Sequence, residues 1–169
     1  MKDSDNIMDI PAFCAWLENS AWATAIHQSL WLFPMIETAH LFGIILLVGA
    51  TSALDLRLIG LTMKGEPVSR IAGRLLPWAW AGLTIQLMTG FCLFASEATR
   101  CWENKAFRIK MAMLFLAGLN ALIFHQTVYR RVSRWDEARV TPAGAKFAGC
   151  CSILLWFGIV AAGRWIAFL

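Results

Sequence analysis

Four long stretches of the chain consist almost entirely of apolar residues, and polar segments separate them. They cover residues 36–57, 75–96, 111–129 and 147–163. Each approaches the roughly 20 residues that a helix needs to cross a bilayer core of about 30 Å. The pattern therefore predicts an integral membrane four-helix bundle of the all-α class. The predicted spans cover about residues 26–56, 74–97, 107–130 and 147–166.

The residues before the first span are predicted to form a surface segment, residues 1–20. Within it, residues 10–19 (IPAFCAWLEN) have an apolar face, which indicates a short helix lying along the membrane surface. The N-terminus is acidic, with Asp3, Asp5 and Asp9, whereas a cleaved signal peptide begins with basic residues. We therefore expect residues 1–169 to form a single transmembrane domain.

Composition and charge agree with this class and add an orientation. Of the 169 residues 59% are hydrophobic, and the mean hydropathy is +0.59, which is too apolar for a soluble domain of this length. Two connections hold nine of the fifteen Lys and Arg residues: Arg57, Lys64, Arg70, Arg74, Arg130, Arg131, Arg134, Arg139 and Lys146. Cytoplasmic loops are enriched in Lys and Arg, so both termini are expected on the outer, periplasmic side. The net charge of +4 is then a topology signal, and no nucleic-acid partner is expected.

Two ionisable residues in the first span, Glu37 and His40, are the first candidates for a functional site. They are three residues apart and therefore share one side of a helix, and His40 is the only titratable group between Glu37 and Asp55. An ionisable side chain within a span is expensive to leave in lipid. It usually faces other helices, a cavity or a ligand.

Helix rise indicates which residues can meet His40. Counting about 1.5 Å per residue from the basic ends of the helices places His40 roughly 22 Å up the bundle. The residues near or slightly above that height are Thr89, Met88, Glu37, Cys92, Arg164, Met113 and Lys110. The count predicts one cluster in the outer half of the bundle. His125 falls about 15 Å lower, so a haem held by both histidines of one chain is not expected.

Three segments resemble a family of small, uncharacterised four-span bacterial inner-membrane proteins. They are ETAHLFGIILLVGATSALDLRLIG, LLPWAWAGLTIQLMTGFCLFASEA and ENKAFRIKMAMLFLAGLNALIFH, from roughly residues 25–130. That family is similar to the copper-resistance D and cytochrome b561-type membrane proteins. The resemblance implies a multi-pass protein of the bacterial inner membrane, with a haem or metal site at the membrane histidine, here His40. Cytochrome b561-type proteins have paired histidines at matching depths, and this chain lacks the second one.

The first functional hypothesis is electron transfer through one b-type haem in the outer half of the bundle. His40 would be an axial ligand, and Met88 or Met113 the sixth ligand. Arg164 and Lys110 would neutralise the haem propionates. Four glycines would make room for the macrocycle: Gly43, Gly82, Gly90 and Gly118.

The second hypothesis is copper handling. His40, Met88, Met113 and Cys92 would bind a soft ion such as Cu(I), for which imidazole, thioether and thiolate are suitable ligands, and Glu37 would stand at the entrance.

The third hypothesis is a non-catalytic structural or accessory subunit of a membrane complex, with another membrane protein or a second copy as its partner. Glu37 would pair with Arg164 or Lys110 as a buried charge cluster, since buried charges are normally paired. His40 would hydrogen-bond Thr89 or Gln86, which lie on one polar stripe of the second span.

Motifs for catalysis are missing from the sequence. There is no nucleophile with an adjacent base, phosphate-binding loop or hydrolytic metal motif, so no independent enzymatic activity beyond a redox role is expected. The five cysteines form no CxxC pair and are expected to serve packing, with a bridge between Cys14 and Cys101 as an open alternative.

Overall fold

The protein is helical throughout the part described by the computed structural model, residues 10–136 and 141–166, which contains no strand. The predicted all-α class is confirmed. The long helices are α3 (Leu32–Ile59), α4 (Val68–Ser96), α6 (Lys105–Thr127) and α7 (Ala143–Trp165). The short ones are α1 (Ile10–Glu18), α2 (Ala21–Gln28), α5 (Ala98–Glu103) and a 3₁₀-helix (Tyr129–Arg134). The expected surface segment is thus described only from Ile10, and Arg139 lies outside the described residues.

All four long helices are long and apolar enough to cross a membrane, as predicted, but two of them begin elsewhere than expected. The first begins at Leu32 instead of about residue 26, because the Ser29 hydroxyl accepts the amide of Leu32 at 3.0 Å and starts a new helix there. The second begins six residues early, directly after Pro67. Pro77 therefore lies inside α4 and not in its first turn.

Helix α3 lies in the middle of the bundle and packs against both α4 and α7, while α6 packs mainly on α7. The order across the molecule is α4, α3, α7, α6. Helices α4 and α6 share little contact in the described structure. The stacked rings of Phe94 and Phe107, 5.5 Å apart, join the C-terminal end of α4 to the N-terminal end of α6. The bundle therefore has an open side between α4 and α6.

The closest approach of two helices is between α3 and α4. A Cβ atom on Gly82 would lie 2.5 Å from the backbone nitrogen of Leu47 and 2.9 Å from the carbonyl oxygen of Gly43. Only a residue without a side chain permits this distance, which is the usual function of glycine between membrane helices. A similar but looser contact joins α7 to α3, where a Cβ on Gly149 would lie 3.1 Å from the carbonyl oxygen of Asp55.

One end of the bundle, called here the basic end, contains residues 60–67 of the first connection and the described residues 128–136 and 141–142 of the second. Its apolar core consists of Leu58, Val68 and Ala145. The guanidinium of Arg57 is buried there and donates to the carbonyl oxygen of Glu66 through Nε (3.0 Å) and Nη2 (2.9 Å). The guanidinium also donates through Nη1 to the Thr141 hydroxyl oxygen at 3.4 Å, and this contact joins the second arginine- and lysine-rich connection to the first.

The opposite end is covered by α1, α2 and α5, around a core of five buried residues: Cys14, Leu17, Ala23, Ala95 and Ala98. The thiols of Cys14 and Cys101 are free in the structure. Burial, assisted by Glu18, raises the pKa of Cys14. Burial raises the pKa of Cys101 to about 11, and the negative charge of Glu97 is the second cause. Both thiols are therefore weakly reactive at neutral pH.

The contact between α1 and α5 is expected to weaken in acid. Hydrogen bonds from Thr99, including its amide at 2.9 Å, lower the pKa of Glu18 in the folded protein. Such a carboxylate stabilises the fold above its unfolded pKa, and the contribution disappears as pH falls through the folded pKa.

Hydrogen–deuterium exchange of residues 97–103, corrected for intrinsic rates, should therefore increase as pH falls below the ordinary pKa of a glutamate, 4.5, and through the lower folded-state pKa of Glu18. Glu18→Gln keeps an acceptor oxygen without the titration, so its protection should be independent of pH. An equal loss of protection in both proteins would contradict the assignment.

Candidate functional site

His40 lies half-buried on α3 and faces α4. Its Nδ1 atom is 2.9 Å from the Thr89 hydroxyl oxygen, which in turn donates to the Ile85 carbonyl oxygen at 2.6 Å. Gly90 makes the approach possible, since a Cβ there would lie 3.3 Å from His40 Cε1. The imidazole is thus held against the α4 backbone.

The hydrogen bonds of Thr89 fix the proton on the imidazole. A hydroxyl has one proton, and a carbonyl oxygen only accepts, so the Thr89 proton is directed to Ile85. The hydroxyl oxygen then accepts from His40 Nδ1–H. The lone pair consequently lies on His40 Nε2, which forms no hydrogen bond within the described residues and is not fully buried.

Gln86 forms a second hydrogen bond between the same helices. Its side-chain Nε2 donates to the backbone carbonyl oxygen of His40 at 2.5 Å, and the amide lies over Gly43, where a Cβ would be 3.1 Å from it. The structure thus contains the hydrogen bond between His40 and Thr89 that the third hypothesis offered, while Gln86 bonds the backbone of His40 and not its imidazole. We call this arrangement of His40, Gln86 and Thr89 the α3–α4 clasp.

The residues that were proposed to bind a haem or a copper ion together with His40 lie apart from the clasp. Met88 is 67% exposed at the outer surface of α4, and the half-buried Met113 packs on Gly158 of α7, where a Cβ would lie 2.0 Å from its methyl carbon. Lys110 lies half-buried on Gly163, near enough for its charge to act on His40. Met88, Met113 and Lys110 therefore do not converge on the imidazole.

The proposed buried charge cluster of Glu37, Arg164 and Lys110 is not assembled within the described residues. Glu37 and Arg164 are both exposed, and none of the three takes part in an ion pair there. Glu37 lies about 60° around α3 from His40, because three residues fall short of a full helical turn. This rotation moves its side chain off the α4 contact.

The space that a haem would need beside the clasp is largely filled. Neighbouring side chains or backbone occupy the positions next to three of the four proposed glycines, Gly43, Gly82 and Gly90, whereas Gly118 is open. Within residues 10–136 and 141–166, no group of three or more His, Cys, Asp and Glu side chains is arranged to hold a metal ion. The α4 side of His40 therefore does not fit a macrocycle.

Two buried charged residues, Asp55 and Arg57, were missed as interior residues by the sequence analysis, which treated them as the end of a span. They are only 7% and 4% exposed. Next to Arg57, a cleft of about 320 Å³ opens between the two basic connections and is lined also by Lys64, Arg70 and Asp136. The signal in the sequence was the position of both residues inside an otherwise apolar segment, LDLRLIG.

Comparison with known proteins places residues 23–169 in one family, described as a family of unknown function, DUF6644. The chain belongs to this family. No curated protein and no solved structure matches it. DUF6644 membership covers all four long helices and the clasp, and no named relative supports the likeness to copper-resistance D or cytochrome b561 proteins.

The clasp predicts a measurable coupling between His40 and Thr89. In a double-mutant cycle of His40→Ala and Thr89→Val, the two losses of unfolding free energy should be non-additive by about 0.5–1.5 kcal/mol, the range of hydrogen bonds between membrane helices.

Thr84→Val is the matched control for Thr89→Val. Thr84 is an exposed threonine of α4 whose hydroxyl donates to the Trp80 carbonyl oxygen at 3.0 Å, and no hydrogen bond joins its side chain to α3 in the described structure. Its effect should add to that of His40→Ala. Additivity for both threonines would mean that the His40–Thr89 hydrogen bond does not stabilise the bundle.

Proposed function

We propose that this DUF6644 protein is a non-catalytic structural or accessory subunit of a membrane complex, in the bacterial inner membrane with both termini on the periplasmic side. The observation that supports this most is the α3–α4 clasp. An ionisable residue in a span suggests a functional site by default. Here Thr89 and Gln86 give His40 a role in holding two helices together that requires no ligand.

The surface of the bundle supports assembly with a partner. Only Ala106 and Ala117 are buried on α6, and the side between α4 and α6 is open. Glu37 is exposed on α3, in the outer half of a membrane helix, where a carboxylate is costly unless a basic group approaches it.

Arg164 is the matching group on this chain. It is exposed near the end of α7 and lies at the same height as Glu37 by helix rise, roughly 25–27 Å from the basic end. In a two-fold dimer, Glu37 of each copy would meet Arg164 of the other, because such an interface uses the same patch twice. A homodimer is therefore the simplest assembly that satisfies both charges.

Charge exchange tests this assembly. The protein, reconstituted in lipid nanodiscs or extracted in a mild detergent, should have twice the protein mass of its 18.9 kDa chain by light scattering. Glu37→Arg should weaken the dimer at least about tenfold, or roughly 1.4 kcal/mol, because it places like charges opposite each other. Combining it with Arg164→Glu should restore the dimer.

Glu103→Gln, at an exposed position of α5 outside the spans, is the control and should leave the dimer intact. A monomer in lipid at all concentrations, or a dimer indifferent to the charge at position 37, would refute the assembly proposed here.

A second candidate function, electron transfer with one haem, has one observation in its favour. His40 donates through Nδ1 to Thr89 and leaves Nε2 free, which is the usual arrangement of a metal-binding histidine whose other nitrogen is anchored. Since the α4 side of the ring is filled, the ligand would have to bind on the outward side. There the His40 of a second copy would be able to complete the axial pair.

Visible spectroscopy separates the two candidates. Protein produced with added haem should stay colourless in reduced-minus-oxidised spectra if His40 serves only in the clasp. A b-type absorption band that disappears in His40→Ala would support the haem hypothesis instead. The band should persist in His125→Ala, which changes an exposed histidine of α6. Metal analysis of the same sample tests copper.

A further inference from the structure

Asp55 is the buried side chain that the proposed function does not use. It lies about one turn before the end of α3, is 7% exposed, and its Oδ2 atom has no hydrogen-bond partner. Within the described residues, no other buried side-chain oxygen or nitrogen lacks a partner. Unsatisfied buried polar atoms are rare in folded proteins and call for an explanation such as a bound group.

The surroundings of Asp55 are formed mainly by α7. Ser152 is its polar neighbour on that helix, and Gly149 brings the two backbones together, with a Cβ position 3.1 Å from the Asp55 carbonyl oxygen. Helices α3 and α7 thus meet at Asp55 with one hydroxyl beside one carboxyl group. A hydroxyl beside a carboxyl group can accept the proton of the acid form or donate to the carboxylate.

The charged side chains around this contact are engaged elsewhere or directed outwards. Arg57 on α3 donates to the Glu66 carbonyl oxygen and to Thr141, and Arg70 on α4 pairs with the Glu66 carboxylate at 3.0 Å. Asp136, after the 3₁₀-helix, accepts from the amide of Ser69. The remaining described charges nearby are exposed: Arg74, Arg130, Arg131 and Lys146. No described residue therefore forms an ion pair with Asp55.

A carboxylate in this position must be neutralised. Burying an unpaired charge is so unfavourable that the group usually binds a proton or a cation instead. Metal cations in proteins need several oxygen ligands, six or more for Ca²⁺ and six for Mg²⁺. No cluster of acidic or other metal-binding side chains accompanies Asp55 in the described chain. A proton needs only the carboxyl oxygen that holds it and one acceptor.

We propose that Asp55 is a proton-binding site at the α3–α7 contact, separate from the α3–α4 clasp. In the packed state its carboxyl group carries a proton and donates it towards the Ser152 hydroxyl oxygen. When α3 and α7 separate at the basic end, the O–H bond breaks, the proton passes to water, and the resulting carboxylate is hydrated. The packed state is therefore stabilised at low pH and loosened as pH rises.

Infrared spectroscopy of the full chain in detergent tests the protonation directly. At neutral pH the wild-type protein should show the carbonyl stretch of a protonated carboxyl group, which shifts in heavy water. Asp55→Asn should remove this band. Glu37→Gln is the matched control, because Glu37 is the other carboxyl group within α3, and it should leave the Asp55 band in place.

Thermal unfolding provides the second measurement. Between the pH at which Asp55 releases its proton in the unfolded chain and the higher pH at which the folded protein releases it, the wild-type unfolding constant should rise by up to about tenfold per pH unit, since unfolding then releases one proton. Asp55→Asn should lack this dependence. If Asp55→Asn does not fold, Ser152→Ala serves instead and should shift the carboxyl band to higher frequency, because the hydrogen bond is lost.

Three results would overturn the proposal. The first is a wild-type protein without the band at neutral pH, and the second is a band that persists unchanged in Asp55→Asn or, where that variant does not fold, in Ser152→Ala. The third is stabilisation of the wild-type protein by sodium at constant ionic strength that Asp55→Asn abolishes, which would identify a metal cation as the occupant.

Discussion

The close backbone approach at Gly43 and Gly82 is the constraint on which the α3–α4 interface around His40 depends. Because a Cβ on Gly82 would overlap the α3 backbone, any side chain at this position would push the two helices apart. At this separation the Thr89 hydroxyl reaches His40 Nδ1 at 2.9 Å and Gln86 reaches the His40 carbonyl oxygen. Hydrogen bonds are short-ranged, so a small increase in helix separation would remove both.

The central position of α3 explains why its polar residues have such different surroundings. His40 faces α4, whose stripe of Gln86 and Thr89 supplies partners, whereas Asp55 faces α7, which supplies Ser152. In water either residue would be hydrated whatever its neighbours. In a membrane bundle each depends on the helix it happens to face, and so the packing order of the helices decides the chemistry of each polar residue.

The sequence predicted the periodic features of this fold well, and those that depend on rotation around a helix poorly. Apolar run lengths predicted four spans, and helix rise placed His40 level with Thr89. The predicted start of α3 was wrong because α2 ends at Ser29, whose hydroxyl then accepts the amide of Leu32 at the start of the new helix. Hydropathy does not detect such a cap. The position of Glu37 along the helix axis also did not indicate which side of α3 carries its side chain, and this side chain is exposed. Burial of Asp55 required knowing that α7 approaches at Gly149.

The contrast between His40 and Asp55 bears on where this protein can change state. At His40 the imidazole donates to a hydroxyl whose own proton is already committed, and the free Nε2 atom is not fully buried, so the clasp leaves no buried polar atom without a partner. At Asp55 one carboxyl oxygen is buried without a partner, and the stability of the contact then depends on whether a proton is present. A fully satisfied polar network rigidifies a structure, whereas a partly satisfied one leaves two states close in free energy. The α3–α4 pair is accordingly the fixed frame of the bundle, and the α3–α7 contact at the basic end is the part that a change in pH can loosen.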